Sequence, residues 1–215
     1  RERALEIFGD EKALDGKKDG LIYTVENHCL TFSDIAAFYA PPPIPWVSPR
    51  RDVELLNGLP ILFVENSNTY YSFSQWNKKH QAYAAIAYAK GNQISASISD
   101  LNWIDDNFPD SPLNYFGDLD REGICIMQRM NNVRSNSQLP SIFPAKNLYS
   151  YLINHGVRKD YNHGSSAVNL SLMKHEFGEN LFDSILDLFD TGKRIAQESL
   201  RLDVLWEMSP SDLIE

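Results

Sequence analysis

The chain has 215 residues, 43% of them apolar and 23% charged, which suits one buried core and excludes wholesale disorder. Its 20 basic and 29 acidic residues give a formal net charge of −9, which argues against a nonspecific nucleic-acid binder with a broad basic face. No apolar run reaches the ~18 residues of a membrane span. Arg1-Glu2-Arg3 opens the chain with no apolar segment behind it, so no secretory signal is expected, and without an initiator Met the chain reads as a fragment. Cys29 and Cys125 form neither a disulfide framework nor a zinc ribbon, and read as free thiols of a reducing cytoplasm.

The chain begins helically over Ala4 to Phe8, then Leu21 to Val25 reads as a strand and Cys29 to Phe32 as its return, with Glu26-Asn27 at the turn. Pro41-Pro42-Pro43-Ile44-Pro45 and Pro49 break helices and mark a connector, so residues 1–57 are expected to form an N-terminal segment and residues 58–215 the main domain. Pro60 to Val64 is a continuous apolar run, as in a strand buried on both faces. Tyr70 to Lys79 follows as a helix, Ala84 to Ala89 as a second strand, Ile94 to Ile104 as a helix and Leu113 to Phe116 as a third strand. Gly123 to Met130 is helical and Ser141 to Phe143 a fourth strand. The C-terminal third carries an amphipathic helix around Leu181 to Phe189, ended by Gly192, and a second helix from Arg194 to about Leu205. Alternating strands and helices imply an α/β fold with a mostly parallel central sheet flanked by helices.

Two of these strands end in carboxylates: Val64 leads into Glu65, and Phe116-Gly117 into Asp118-Leu119-Asp120. Ligands gather at the carboxyl ends of parallel strands. Three anions in one cleft repel each other, and a hard divalent cation such as Mg2+ or Mn2+ relieves that repulsion. Such a metal can activate water at a phosphoryl group.

The ordered set of Val64-Glu65-Asn66, Tyr115-Phe116-Gly117-Asp118-Leu119-Asp120-Arg121-Glu122-Gly123 and Arg194-Ile195-Ala196-Gln197-Glu198 resembles the Toprim domain of the JetD family. That family supplies the nuclease subunit of the bacterial Wadjet plasmid-defence system and is related in fold to the topoisomerase VI A subunit. Phe8-Gly9-Asp10-Glu11-Lys12 and Ala89-Lys90-Gly91-Asn92 extend the likeness to about residues 5–200. The resemblance implies a Toprim-like fold and a magnesium-dependent endonuclease acting on plasmid DNA with a condensin-like SMC complex, in the bacterial cytoplasm, as a homodimer and away from membranes. It places Glu65, Asp118 and Asp120 as catalytic metal ligands and Glu198 as a further ligand in the C-terminal signature. Arg121 and Arg194 are candidate DNA contacts. Family members often carry an acidic residue shortly after the fourth strand, where this chain has Phe143-Pro144-Ala145-Lys146, so a metal ligand is expected either to be missing or to be supplied by Glu122 or Glu198. They also carry an N-terminal region that this chain is too short to contain.

The same residues have plainer readings. Glu65 can be a first-turn acid favoured by the helix dipole, Asp118 and Asp120 turn residues, Glu122 and Glu198 solvated helix acids, and Arg121 and Arg194 surface ion pairs. The basic pairs Lys78-Lys79 and Arg158-Lys159 read as solvated, with DNA as a second option. His28, His80, His155, His163 and His175 show no zinc spacing. A phosphatase of the haloacid-dehalogenase type would use Asp118 as nucleophile and Asp120 as acid/base, but leaves Glu65 without a task. A noncatalytic assembly module is the third reading.

Overall fold

The apolar runs of the sequence become the inner strands of a sheet, as burial on both faces requires. The computed structural model describes residues 1–10, 12–15, 21–25, 28–37, 43–52, 54–90, 107–161 and 166–214, in two compact units, Arg1–Pro42 and Pro43–Glu215. The first unit holds helix α1 (Glu2–Phe8), closed by Gly9 at φ 68°, and a hairpin of β1 (Leu21–Val25) and β2 (His28–Thr31) with Val25 opposite His28. Glu26-Asn27, Gly91-Asn92, the helix expected over Ile94 to Ile104, and His163 lie outside the described residues.

The second unit is built on a five-stranded sheet. Its strands are β3 (Trp46–Val47), β4 (Ile61–Val64), β5 (Ala85–Tyr88), β6 (Leu113–Phe116) and β7 (Ile142–Pro144), in the order β3-β5-β4-β6-β7. The last four run parallel, and β3 adds an antiparallel edge. This short edge strand was hidden among the prolines. Ile61, Leu62, Phe63 and Val64 are wholly buried, so the central strand carries no polar face.

Helix α2 (Ser67–His80) follows β4 and packs Phe73 and Trp76 into the core, with Lys78, Lys79 and His80 at the end where the helix dipole favours cations. Helix α3 (Arg121–Asn136) follows β6 and α4 (Lys146–His155) follows β7. Helices α5 (Leu170–Phe177) and α6 (Glu179–Asp190) come next, the second being the expected amphipathic stripe, with Gly192 beyond it at φ 64°.

The helix expected from Arg194 to about Leu205 does not form. Residues Lys193–Ile195 are instead strand β9, paired antiparallel with β8 (Arg158–Asp160). A 3-10 turn, Gln197–Ser199, and α7 (Leu202–Glu207) follow, before α8 (Pro210–Leu213) closes the described chain. The cause is tertiary. Ile195 is β-branched and fully buried, and it exchanges two backbone hydrogen bonds with Leu119 (2.8 and 3.1 Å). Those bonds and that burial outweigh a helical preference that was never strong.

Candidate active site

Strands β4 and β6 lie side by side in matched register, Ile61 beside Leu113 through Val64 beside Phe116. The chain leaves β4 for β5 on one side and β6 for β7 on the other. The crevice at their carboxyl ends is therefore a topological switch point, where open parallel sheets collect ligands. Glu65 and Gly117 leave the sheet there at the same level.

Glu65 is anchored first through its backbone, whose N–H donates to the Phe116 carbonyl at 3.2 Å. Its Oε2 accepts from the Tyr115 hydroxyl at 3.0 Å and from the Asp118 N–H at 3.3 Å. Gly117 is required beneath it: a Cβ there would lie 2.5 Å from Glu65 Oε2 and 2.6 Å from the Tyr115 hydroxyl. The Gly117 N–H donates to the Tyr149 hydroxyl of α4 at 2.9 Å, which fixes the turn from the other side. Gly123 has a similar task, since a Cβ there would strike the Asp118 carbonyl oxygen at 2.2 Å.

Asp118 accepts from the Gln197 N–H at 3.0 Å and from Arg194 Nη1 at 3.3 Å. Asp120 caps α3 by accepting from the Gly123 N–H at 2.8 Å, and its other oxygen lies 3.7 Å from the same Arg194 nitrogen. Asp120 is thus both a helix cap and a member of the cleft. Glu198 accepts from Asn66 Nδ2 at 2.7 Å, tying the C-terminal signature to the residue after Glu65. The structure so brings Glu65, Asp118, Asp120, Arg194 and Glu198 to one edge of the sheet.

Two named residues turn elsewhere. Arg121 lies over the Phe189 ring, 5.1 Å from its centroid. Glu122 pairs with Arg129 at 2.7 Å and bonds the Ser166 hydroxyl.

Burial dominates the electrostatics. It pushes the Glu65 carboxyl up to about 7, and the Asp118 charge adds to that, against the Tyr115 bond. Burial also raises Asp118 and Asp120, against the Gln197 and Gly123 amides and the single Arg194 charge. One guanidinium does not offset three carboxylates. Among the described residues no group of three or more His, Cys, Asp or Glu is arranged to hold a metal ion. The donor chemistry nevertheless fits a hard divalent cation: the donors are oxygens, and the anions are under-compensated. Glu65, Asp118 and Asp120 are the residues that would hold it.

Residues 48–209 match the sequence profile described as Wadjet protein JetD, C-terminal, which is most of the chain. The chain belongs to this JetD C-terminal family. The match takes in all four parallel strands, both strand-end acidic motifs and the Arg194-to-Glu198 signature. No curated protein matches the chain significantly. Within the described residues of this JetD-family domain, no helix is long and apolar enough to cross a membrane.

Sequence reasoning did not single out Tyr115, Tyr149, Gly117 or Asn66 as site residues. Asn66 and Gly117 lie inside the quoted motifs and were readable as neighbours of the acids. Tyr115 opens one of those motifs but meets Glu65 only through the strand pairing, and Tyr149 lies outside them all.

Proposed function

We propose that this JetD C-terminal domain is a Toprim-like, magnesium-dependent DNA endonuclease, related in fold to the topoisomerase VI A subunit. In this reading it cuts plasmid DNA in the bacterial cytoplasm as the nuclease subunit of a Wadjet-type SMC complex, working as a homodimer because two strands need two active sites. The observation that carries it is the meeting of half-buried Glu65 and Asp118 with buried Asp120 at the switch point of a parallel sheet, where they are short of positive charge. Bound Mg2+ or Mn2+ would supply Lewis-acid activation of water and charge stabilisation at phosphorus.

The chain's own residues do the rest. Tyr115 and the Asp118 N–H hold Glu65 in one orientation. The Gln197 N–H and Arg194 hold Asp118, and the Gly123 N–H holds Asp120. Arg194 stands where a phosphate would meet the carboxylates, and it can exchange an aspartate oxygen for a phosphate oxygen. Asn66 orients Glu198 at the rim as a further oxygen donor.

The test is supercoiled plasmid incubated with the protein and Mg2+ or Mn2+, beside Asp118→Ala. Cutting by the parent and loss of at least a hundredfold in the variant is the expected result. Equal cutting by both proteins would overturn the site assignment.

A further inference from the structure

The β8–β9 ribbon concentrates positive charge in an acidic chain, for Arg158, Lys159, Lys193 and Arg194 lie in its two three-residue strands. Register separates these cations by face. Residues opposite each other in an antiparallel pair project to the same side. Arg158 stands opposite Ile195 and Asp160 opposite Lys193, so these four share one face. The charges there are matched: Lys193 pairs with Asp160 at 2.5 Å and Arg158 with Asp187 at 3.6 Å.

The other face is different. Lys159 stands directly opposite Arg194, and like charges in that relation weaken a ribbon. Arg194 reaches inward to Asp118 and Asp120, with the Tyr161 ring 5.8 Å from its guanidinium carbon. Lys159 is exposed, and among the described residues no carboxylate pairs with it. The ribbon is also coupled to the acidic turn, because Ile195 and Leu119 form a backbone bridge. A lysine opposed to an arginine, beside an aromatic ring and next to a row of carboxylates, suits a polyanion better than it suits the ribbon.

We propose that Lys159 is a DNA phosphate contact, and that the Lys159–Arg194 face of the ribbon seats the backbone of duplex DNA against the carboxylate edge. The choice of ligand rests on the nuclease reading. The geometry answers a problem that reading raises: an acidic protein with an acidic cleft needs local cations to bring a polyanion close.

The experiment measures binding of a short fluorescent duplex to the full chain in EDTA over a range of salt. Lys159→Ala should weaken binding about threefold to tenfold and lower the slope of log affinity against log salt by about one. Lys159→Arg should restore both, and Arg50→Ala, whose partner Gln81 caps the far end of α2, should change neither. Unchanged affinity and slope in Lys159→Ala would overturn the proposal, as would a parent that binds no duplex. Chelation separates the two readings. Binding through Lys159 without any metal-dependent cutting overturns the nuclease and leaves the contact standing. Cutting with binding indifferent to position 159 overturns the contact alone.

Discussion

Glu65 occupies a place where a carboxylate is costly, and small details of its surroundings set how it is held. Gly117 is one of them. Gly117→Ala would press a methyl group onto Glu65 Oε2 and the Tyr115 hydroxyl, so plasmid cutting is expected to fall more than tenfold while circular dichroism stays that of the parent. Glu176 gives a prediction away from the site. It is buried in α5, where burial raises its carboxyl to about 7 from 4.5 while a bond from Asn131 at 3.2 Å opposes the shift. The folded state therefore holds the proton more tightly than the unfolded one. That stabilisation is complete below about pH 4.5 and is lost as the pH rises to about 7. Denaturant titrations should show it as falling stability of up to roughly 3 kcal/mol across that window. Glu65 shares the window, and Glu176→Gln should flatten its part of the slope. The acids of the cleft were legible in the sequence because they follow apolar runs directly. Tyr115 and Tyr149 were not, because a tyrosine becomes a site residue only by its distance from something remote.

At the scale of elements, the parallel strands were the readable part. The inner strands β4 and β5 are short apolar runs closed by polar residues, and burial on both faces leaves few other options, while the edge strand β7 exposes Phe143. The C-terminal signature was read with the wrong period. Arg194 to Leu205 carries residues that tolerate a helix, and only the partner strand Arg158–Asp160 and the bridge to Leu119 decide for β structure. Long-range pairing of that kind has no local sign. The link between α2 and β5 is also set by one side chain. Asn77 Oδ1 accepts from the Ala82 and Tyr83 amides at 3.0 and 2.9 Å, and its Nδ2 donates to the Tyr83 carbonyl at 2.9 Å, all buried. Asn77→Ala would leave those groups unpaired and should cost about 2–4 kcal/mol in urea unfolding. Asn169, which caps α5 by accepting from the Leu172 N–H at 3.1 Å, is worth less: Asn169→Ala should cost about 1 kcal/mol.

For the whole molecule, the core runs from Ile44 to Leu213 and lies within the second compact unit. Residues 43–215 expressed alone should unfold in one cooperative denaturant transition; a broad or absent transition would show that the first unit is needed. The site is also spread along the chain. Asp118 and the Arg194 that faces it are 76 positions apart, and Asn66 and Glu198 are 132 apart. A ribosome makes the chain from its amino end, so Glu65, Asp118 and Asp120 emerge well before the arginine and the amide that steady the two aspartates. Until residue 194 is made, Glu65 and Asp120 have only the donors that Tyr115, the Asp118 amide and the Gly123 amide can give, and not the Arg194 cation. The acidic edge therefore acquires its fixed cation only when the β9 strand has been made and has closed on Leu119.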